Sequence, residues 1–105
     1  MGTIQHHAVI ATGGDDQHRD QVTAWIASRG ENHQRRYLVG PMVINGYFTV
    51  VLTPDGSKEG WDDSDAGDAE RDEFVAWLSE PDTYWDWVEV TYGEIGYRIT
   101  RSDDD

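Results

Sequence analysis

The sequence predicts an α+β fold: a ferredoxin-like β-α-β-β-α-β antiparallel sheet with two helices on one face, plus a short C-terminal strand. Three observations carry this. Two segments repeat apolar residues at helical spacing, each followed by a stop signal. Asn45-Gly46 between two β-rich runs is the strongest short-range hairpin signal. Pro41 falls in the second strand, which is an edge in this topology, and an edge tolerates a missing backbone donor.

The elements follow in order. Residues 4–11 (IQHHAVIA) end in a small apolar run and read as a largely buried strand. Gly13-Gly14 ends it, and Asp15 or Asp16 can cap the next element. Val22, Trp25 and Ile26, with His18 and Arg29 one turn to either side, place an amphipathic helix over 16–29, and Gly30 suits the position after its end. Residues 36–44 and 47–53 flank Asn45-Gly46 as a hairpin, and Pro54-Asp55-Gly56 closes it. A polar loop over 57–67 leads to a second helix that starts between Asp65 and Asp68 and runs to Ser79. Phe74, Trp77 and Leu78 form its buried side, and Asp65, Asp68 and Glu70 crowd its N-terminal turns, where the helix dipole favours anions. Residues 85–92 (WDWVEVTY) alternate, with Trp85, Trp87, Glu89 and Thr91 on one side and Asp86, Val88, Val90 and Tyr92 on the other. Gly93 to Gly96 turns the chain into a last strand over 97–100. Residues 1–101 then form one α+β domain and 102–105 a disordered acidic tail.

Charge is the most uneven property of the chain. Of the 21 carboxylates, 14 lie between Asp55 and Glu94, where Lys58 and Arg71 are the only cations; residues 1–54 sum to zero. A one-sided negative field repels nucleic acid and anionic membranes and attracts basic protein surfaces. Seven Arg against one Lys, with abundant Asp, also fits a halophile's solvated surface or a GC-rich coding sequence, in which case the net charge of −13 carries no function. A uniform adaptation spreads over the whole chain, however, and the first half is neutral. The absence of cysteine excludes disulfides and thiolate metal sites. The longest nearly apolar run, 47–52, is too short to span a bilayer, and the N-terminus lacks the basic and apolar regions of a signal peptide. These features lead us to expect a soluble cytoplasmic protein, monomeric or weakly dimeric, without cofactor or metal.

Motifs for catalysis fail on inspection. The strand-to-helix loop Thr12-Gly13-Gly14-Asp15-Asp16 resembles a phosphate cradle in position, but carboxylates stand where an anion would sit. His6 and His7 are adjacent in a strand and point to opposite faces, so they cannot chelate together, and His18 and His33 offer no metal-binding spacing. The run from Asp62 to Asp68 has no register with calcium-loop spacing, since counting from Asp63 puts Gly67 fifth and Arg71 ninth. No Ser-His-Asp set or nucleotide motif is readable, and we expect no enzyme.

Residues 6–12 (HHAVIAT), 45–47 (NGY), 54–78 (PDGSKEGWDDSDAGDAERDEFVAWL) and 86–94 (DWVEVTYGE) resemble a group of small acidic phage and prophage proteins without assigned function. The resemblance implies an accessory protein that binds and blocks a host or defence protein in the host cytoplasm. It supplies no catalytic residues.

Two classes of function follow. In the first, Asp62, Asp63, Asp65, Asp68, Glu70, Asp72 and Glu73 form an acidic face that engages a basic protein surface as a nucleic-acid mimic, with Lys58 and Trp61 of the preceding loop as further contacts. In the second, the open sheet face holds a small planar ligand through His6 or His7, Tyr47, Trp85 and Trp87. A duller third is a virion or assembly component whose acidity only maintains solubility.

Overall fold

A computed structural model describes residues 4–14, 16–40, 44–54, 62–80 and 84–104. Five strands and two long helices form an α+β unit: β1 (Gln5–Gly13), α1 (Asp16–Ala27), a single helical turn α2 (Glu31–Gln34), β2 (Tyr37–Val39), β3 (Phe48–Leu52), α3 (Asp62–Leu78), β4 (Asp86–Gly93) and β5 (Gly96–Ser102). The sheet is antiparallel throughout, in the order β2-β3-β1-β4-β5. The ferredoxin-like ordering is not matched exactly by this strand order, in which β5 is the expected C-terminal strand. The second strand is an edge, as expected; Pro41 itself lies outside the described residues.

Register divides the sheet into two faces. On one, Val9 and Ala11 of β1 lie beside Leu52 and Val50 of β3, and Ala11 beside Trp87 of β4. These side chains join Val22 and Ile26 of α1 and Phe74 and Leu78 of α3 in a single buried core, so both long helices cover the same face. The aromatic residues pack as a chain. Trp25 stacks on Phe74 at 5.3 Å and on Trp77 at 5.4 Å, while Tyr37 meets Phe74 edge-on at 5.3 Å. Gly13 ends β1 under the first turns of α1. A Cβ there would stand 2.6 Å from the Cβ of His18, so the close approach of strand and helix requires glycine.

Among the described residues the opposite face of the sheet is open and largely apolar, with a polar row of Thr49, Thr12 and Asp86 at one end. Its other rows, read across the strands, are His6, Tyr92 and Tyr97; then Ala8, Val90 and Ile99; then Leu38, Val51, Ile10 and Val88. Ile10, Leu38, Tyr92, Tyr97 and Ile99 are all exposed.

Several expectations need correction. Helix α3 begins at Asp62, several residues before the predicted start, and takes in half of the segment read as a polar loop. Asp62, Asp63 and Asp65 are loop formers by propensity, yet in the first turn of a helix they complement its dipole. The first hairpin strand stops at Val39 instead of reaching 44. A two-residue loop at Asn45-Gly46 would place Leu38 opposite Thr53, but Leu38 pairs with Val51. Asn45 and Gly46 still take the positive φ values of the turn, 71° and 78°. The displacement is two residues, which leaves every side chain on its expected face. The turn α2 was not expected at all. Ser102 is the last residue of β5, and Asp103 bonds the Trp87 backbone through both its amide and its carboxylate, so the last strand runs past its expected end at Thr100.

Phe74 is fully buried, whereas Trp25 and Trp77 are only half-buried. Phe74→Ala is expected to lower unfolding stability in urea by about 3–5 kcal/mol, and the same truncation at Trp25 or Trp77 by less. A loss below about 1 kcal/mol at Phe74 would show that α3 is not packed on this face.

Candidate functional site

The buried stripe of α3 runs through Gly67, Glu70, Arg71, Phe74 and Leu78, at helical spacing. Two of these five positions are charged, and each is met by groups from elsewhere in the fold. The Glu70 side chain has no exposed surface. Its carboxylate accepts a hydrogen bond from the Tyr37 hydroxyl at 2.6 Å and one from the Arg29 guanidinium at 2.9 Å, and His33 Nδ1 lies 3.3 Å away. Arg29 also pairs with Glu73 and sits 4.9 Å over the Trp25 ring. Burial, reinforced by the bond to the Glu70 carboxylate and its charge, pushes the Tyr37 hydroxyl far above its ordinary pKa.

Glu89 on β4 is the centre of a second cluster. The sheet bulges between Glu89 and Val90, so that Arg101 and Ile99 face successive residues and Thr100 becomes the extra one. This aims two β5 side chains at one carboxylate. Thr100 donates at 2.6 Å, and Arg101 donates through Nε at 3.1 Å and through Nη2 at 2.5 Å, a two-pronged pairing. Arg101 reaches on to Asp72 of α3 at 2.9 Å. Arg71, nearly fully buried, approaches Glu89 to 4.0 Å and pairs with Asp68. Nearby, His7 Nδ1 is 2.9 Å from the Thr91 hydroxyl, and together these groups line a polar recess of about 320 Å³. Burial raises the Glu89 pKa, but the hydrogen bonds from Arg101 and Thr100, with the charges of Arg101 and Arg71, outweigh it and hold the carboxyl below its usual value.

The acidic face expected from the sequence is only partly present. Asp68, Asp72 and Glu73 are exposed on the outer side of α3. Glu70 does not belong with them: at position 70 the helix turns inward, and the carboxylate is part of the core. Each exposed acid is moreover paired, Asp68 with Arg71, Asp72 with Arg101 and Glu73 with Arg29. Asp62, Asp63 and Asp65 stand in the first turn of α3, but their side chains lie outside the described residues, as do Lys58 and Trp61 altogether. The helical layer remains acidic, since these two clusters hold five carboxylates against three guanidiniums, and α1 adds exposed Asp16 and Asp20 around Arg19.

The residues of the ligand-binding alternative are not brought together on the open face. His6 is there, tilted against Tyr92 at 5.2 Å, but His7, Trp85 and Trp87 face the helices. Tyr47, Trp85 and Trp87 instead line a cleft of about 760 Å³ at one end of the sheet, with His18, Tyr84 and Asp103. Its size suits a small ligand. Trp85 and Trp87 nevertheless give it only 5 % and 8 % of their surface, and His18 is engaged edge-on with Trp85 at 4.9 Å.

Sequence reasoning named none of Arg29, Tyr37, Thr100 and Arg101 as partners of a buried carboxylate. A signal was there: Glu70 and Arg71 fall one turn before Phe74 on the apolar stripe, and Glu89 alternates in phase with Trp87. A charge on the inward side of an element implies a partner. Among the described residues, no group of three or more His, Asp or Glu side chains could hold a metal ion, and no helix is long and apolar enough to cross a membrane. No protein-family model, curated protein or solved structure matches this chain.

Removing Glu70 leaves Arg29 and Tyr37 without their shared acceptor. Glu70→Ala is expected to cost about 3–5 kcal/mol, and Tyr37→Phe, which removes one donor, about 1–3 kcal/mol. Denaturant titrations that rank the two variants the other way would refute this account of the cluster.

Because the Glu89 pKa is lowered on folding, the carboxylate contributes stability that is present above the unfolded value of about 4.5 and lost as pH falls through the folded value. Thermal melts from neutral pH downward should show wild type losing more stability than Glu89→Gln below about pH 4.5. Parallel curves through that window would show that Glu89 is not held ionised.

Proposed function

We propose that this is a non-catalytic binding protein whose acidic helical layer docks on a basic protein surface. The observation that carries the reading is the segregation of charge between its two faces. The exposed acids Asp16, Asp20, Asp68, Asp72 and Glu73 belong to the helices, whereas the three apolar rows of the open sheet face hold no carboxylate and the exposed acids of the sheet, Asp86, Glu94, Asp103 and Asp104, lie at its ends. A field concentrated on one layer steers a basic partner to that layer. The intramolecular arginine pairs do not prevent this, because the carboxylate of each pair keeps more than half of its side-chain surface exposed and can still meet an incoming cation.

The scaffold is taken as a ferredoxin-like unit extended by one strand. The partner is a host or defence protein of the cell in which a phage-type accessory protein acts, in its cytoplasm, and the carboxylates stand in for nucleic-acid phosphates. The contact set is Asp68, Asp72 and Glu73, together with Asp62, Asp63 and Asp65 at the start of α3 and Lys58 and Trp61 just before it. Glu70 is left out of it.

Affinity capture from cell lysate tests this, run at about 50 mM and about 500 mM salt beside an Asp68→Asn/Asp72→Asn/Glu73→Gln variant with a wild-type circular dichroism spectrum. The expected result is a basic protein retained at low salt, released at high salt and not retained by the variant. Capture indifferent to both salt and the substitutions would overturn the reading.

A further inference from the structure

The open sheet face is the least explained surface of the molecule. Two of its three rows of Tyr, Ile, Val, Leu and Ala span β1, β4 and β5, and the third runs from β2 to β4, with His6 as their one ionisable group besides the tyrosines. Asp86 stands at the end of the face and not within those rows. The most accessible members are Leu38, 61 % exposed on one edge strand, and Ile99, 69 % exposed on the other; Tyr97 is 91 % exposed.

We propose that two copies of this chain pack open face to open face, as a two-fold sandwich of sheets. Area is the first argument. Ten residues, each occupying about 4.8 Å across the strands and about 6.8 Å along them, make a patch of roughly 330 Å² on each copy. A monomer's largest apolar patch is about 300–600 Å², and such patches often mark an interaction site. Two copies would bury about 650 Å² of flat area, less than the roughly 1,000 Å² of a standard specific interface, which implies a weak, concentration-dependent dimer.

Charge selects the occupant. The chain carries −13, so two copies repel each other through any approach that brings their helical layers together. Among the described residues the three apolar rows carry no carboxylate, and stacking them together puts the acidic helical layers on the outside. With about 10 Å between sheets and a similar distance from sheet to helix, the two layers stand roughly 30 Å apart, more than three screening lengths at physiological salt. A basic partner would be drawn to the helical layer instead, and an anionic membrane would be repelled. An uncharged apolar face is self-complementary under a two-fold axis, which is how most homodimers form. The inference does not depend on the proposed function. If both hold, each dimer displays two outward acidic layers and binds a basic partner twice.

Sedimentation velocity of the full chain from about 1 to 500 µM in 0.15 M salt tests it. Wild type should shift from monomer to dimer over this range. Ile99→Lys should raise the dissociation constant at least about tenfold by placing a charge in the interface, even though it lowers the net charge and weakens general repulsion. Ala76→Lys, at an exposed site on α3, makes the same charge change on the other layer and should leave the dimer intact. Leu38→Lys on the opposite edge strand repeats the test should Ile99→Lys lose its native circular dichroism spectrum. Wild type that stays monomeric throughout, a folded Ile99→Lys or Leu38→Lys that dimerises like wild type, or dissociation by Ala76→Lys would each overturn the proposal.

Discussion

The fold depends on one carboxylate taken out of water. Glu70 is enclosed between α3, the end of α1 and the start of β2, and it is tolerated there only because Tyr37 and Arg29 both donate to it. An unpaired charge at such depth costs several kcal/mol, so the three elements cannot separate without stranding it. Sequence separations of 33 and 41 residues make the contact long-range, and it ties the two halves of the chain together. Dispersion and apolar burial fill the same space: Phe74 lies one turn further along α3, against Tyr37 and Trp25. Hydrophobic contact alone would allow α1 and α3 to slide along one another. A carboxylate with two directed donors fixes their register.

Charge recurs at the opposite end of the covered face, in a different form. Over β3 and β1 the helices meet Val9, Ala11, Val50 and Leu52, whereas over β4 and β5 they meet Glu89, Thr91 and Arg101. The bulge explains how this polar half is built. An extra residue in β5 turns Thr100 and Arg101 toward Glu89 together, and Arg101 then bridges from the sheet to Asp72 on the helix. The β5 strand, which otherwise exposes most of its side chains, is fastened by those bonds as well as by its ladder.

Much of this was legible from residue order. Alternation in WDWVEVTY gave the correct faces of β4, because one side of that strand is buried and the other is not. Val22 and Ile26 on α1, and Phe74 and Leu78 on α3, follow the 3.6-residue period of helices with one covered side. The failures have different causes. Composition marks Asp62, Asp63, Asp65 and Gly67 as loop-forming, but carboxylates in the first turn complement the helix dipole and the helix takes them in. Asn45-Gly46 forms its turn, yet the pairing of Leu38 with Val51 is set by the β-sheet core and not by the turn. Glu70 was counted among surface acids because residue type outweighed position, although its place on the Phe74 stripe was visible all along.

The arginine preference of the chain acquires a structural meaning from these clusters. Codon bias accounts equally well for an arginine anywhere, so composition alone could not separate the explanations. In the folded protein, Arg29 serves Glu70 and Glu73 at once, and Arg101 serves Glu89 and Asp72 at once. A planar guanidinium with five donors can span two carboxylates from fixed directions, whereas an ammonium acts as a point charge and is more strongly hydrated. Arg→Lys at position 29 or 101 would therefore keep the charge and still lose one of the two links. The same reasoning limits the acidity. Carboxylates drawn into such bridges serve the architecture first, and what is left for a partner is the outward remainder on the helical layer. Asp72 and Glu73 do both, since each closes a bridge while more than half of its side chain stays exposed, so the proposed contact set is also part of the architecture.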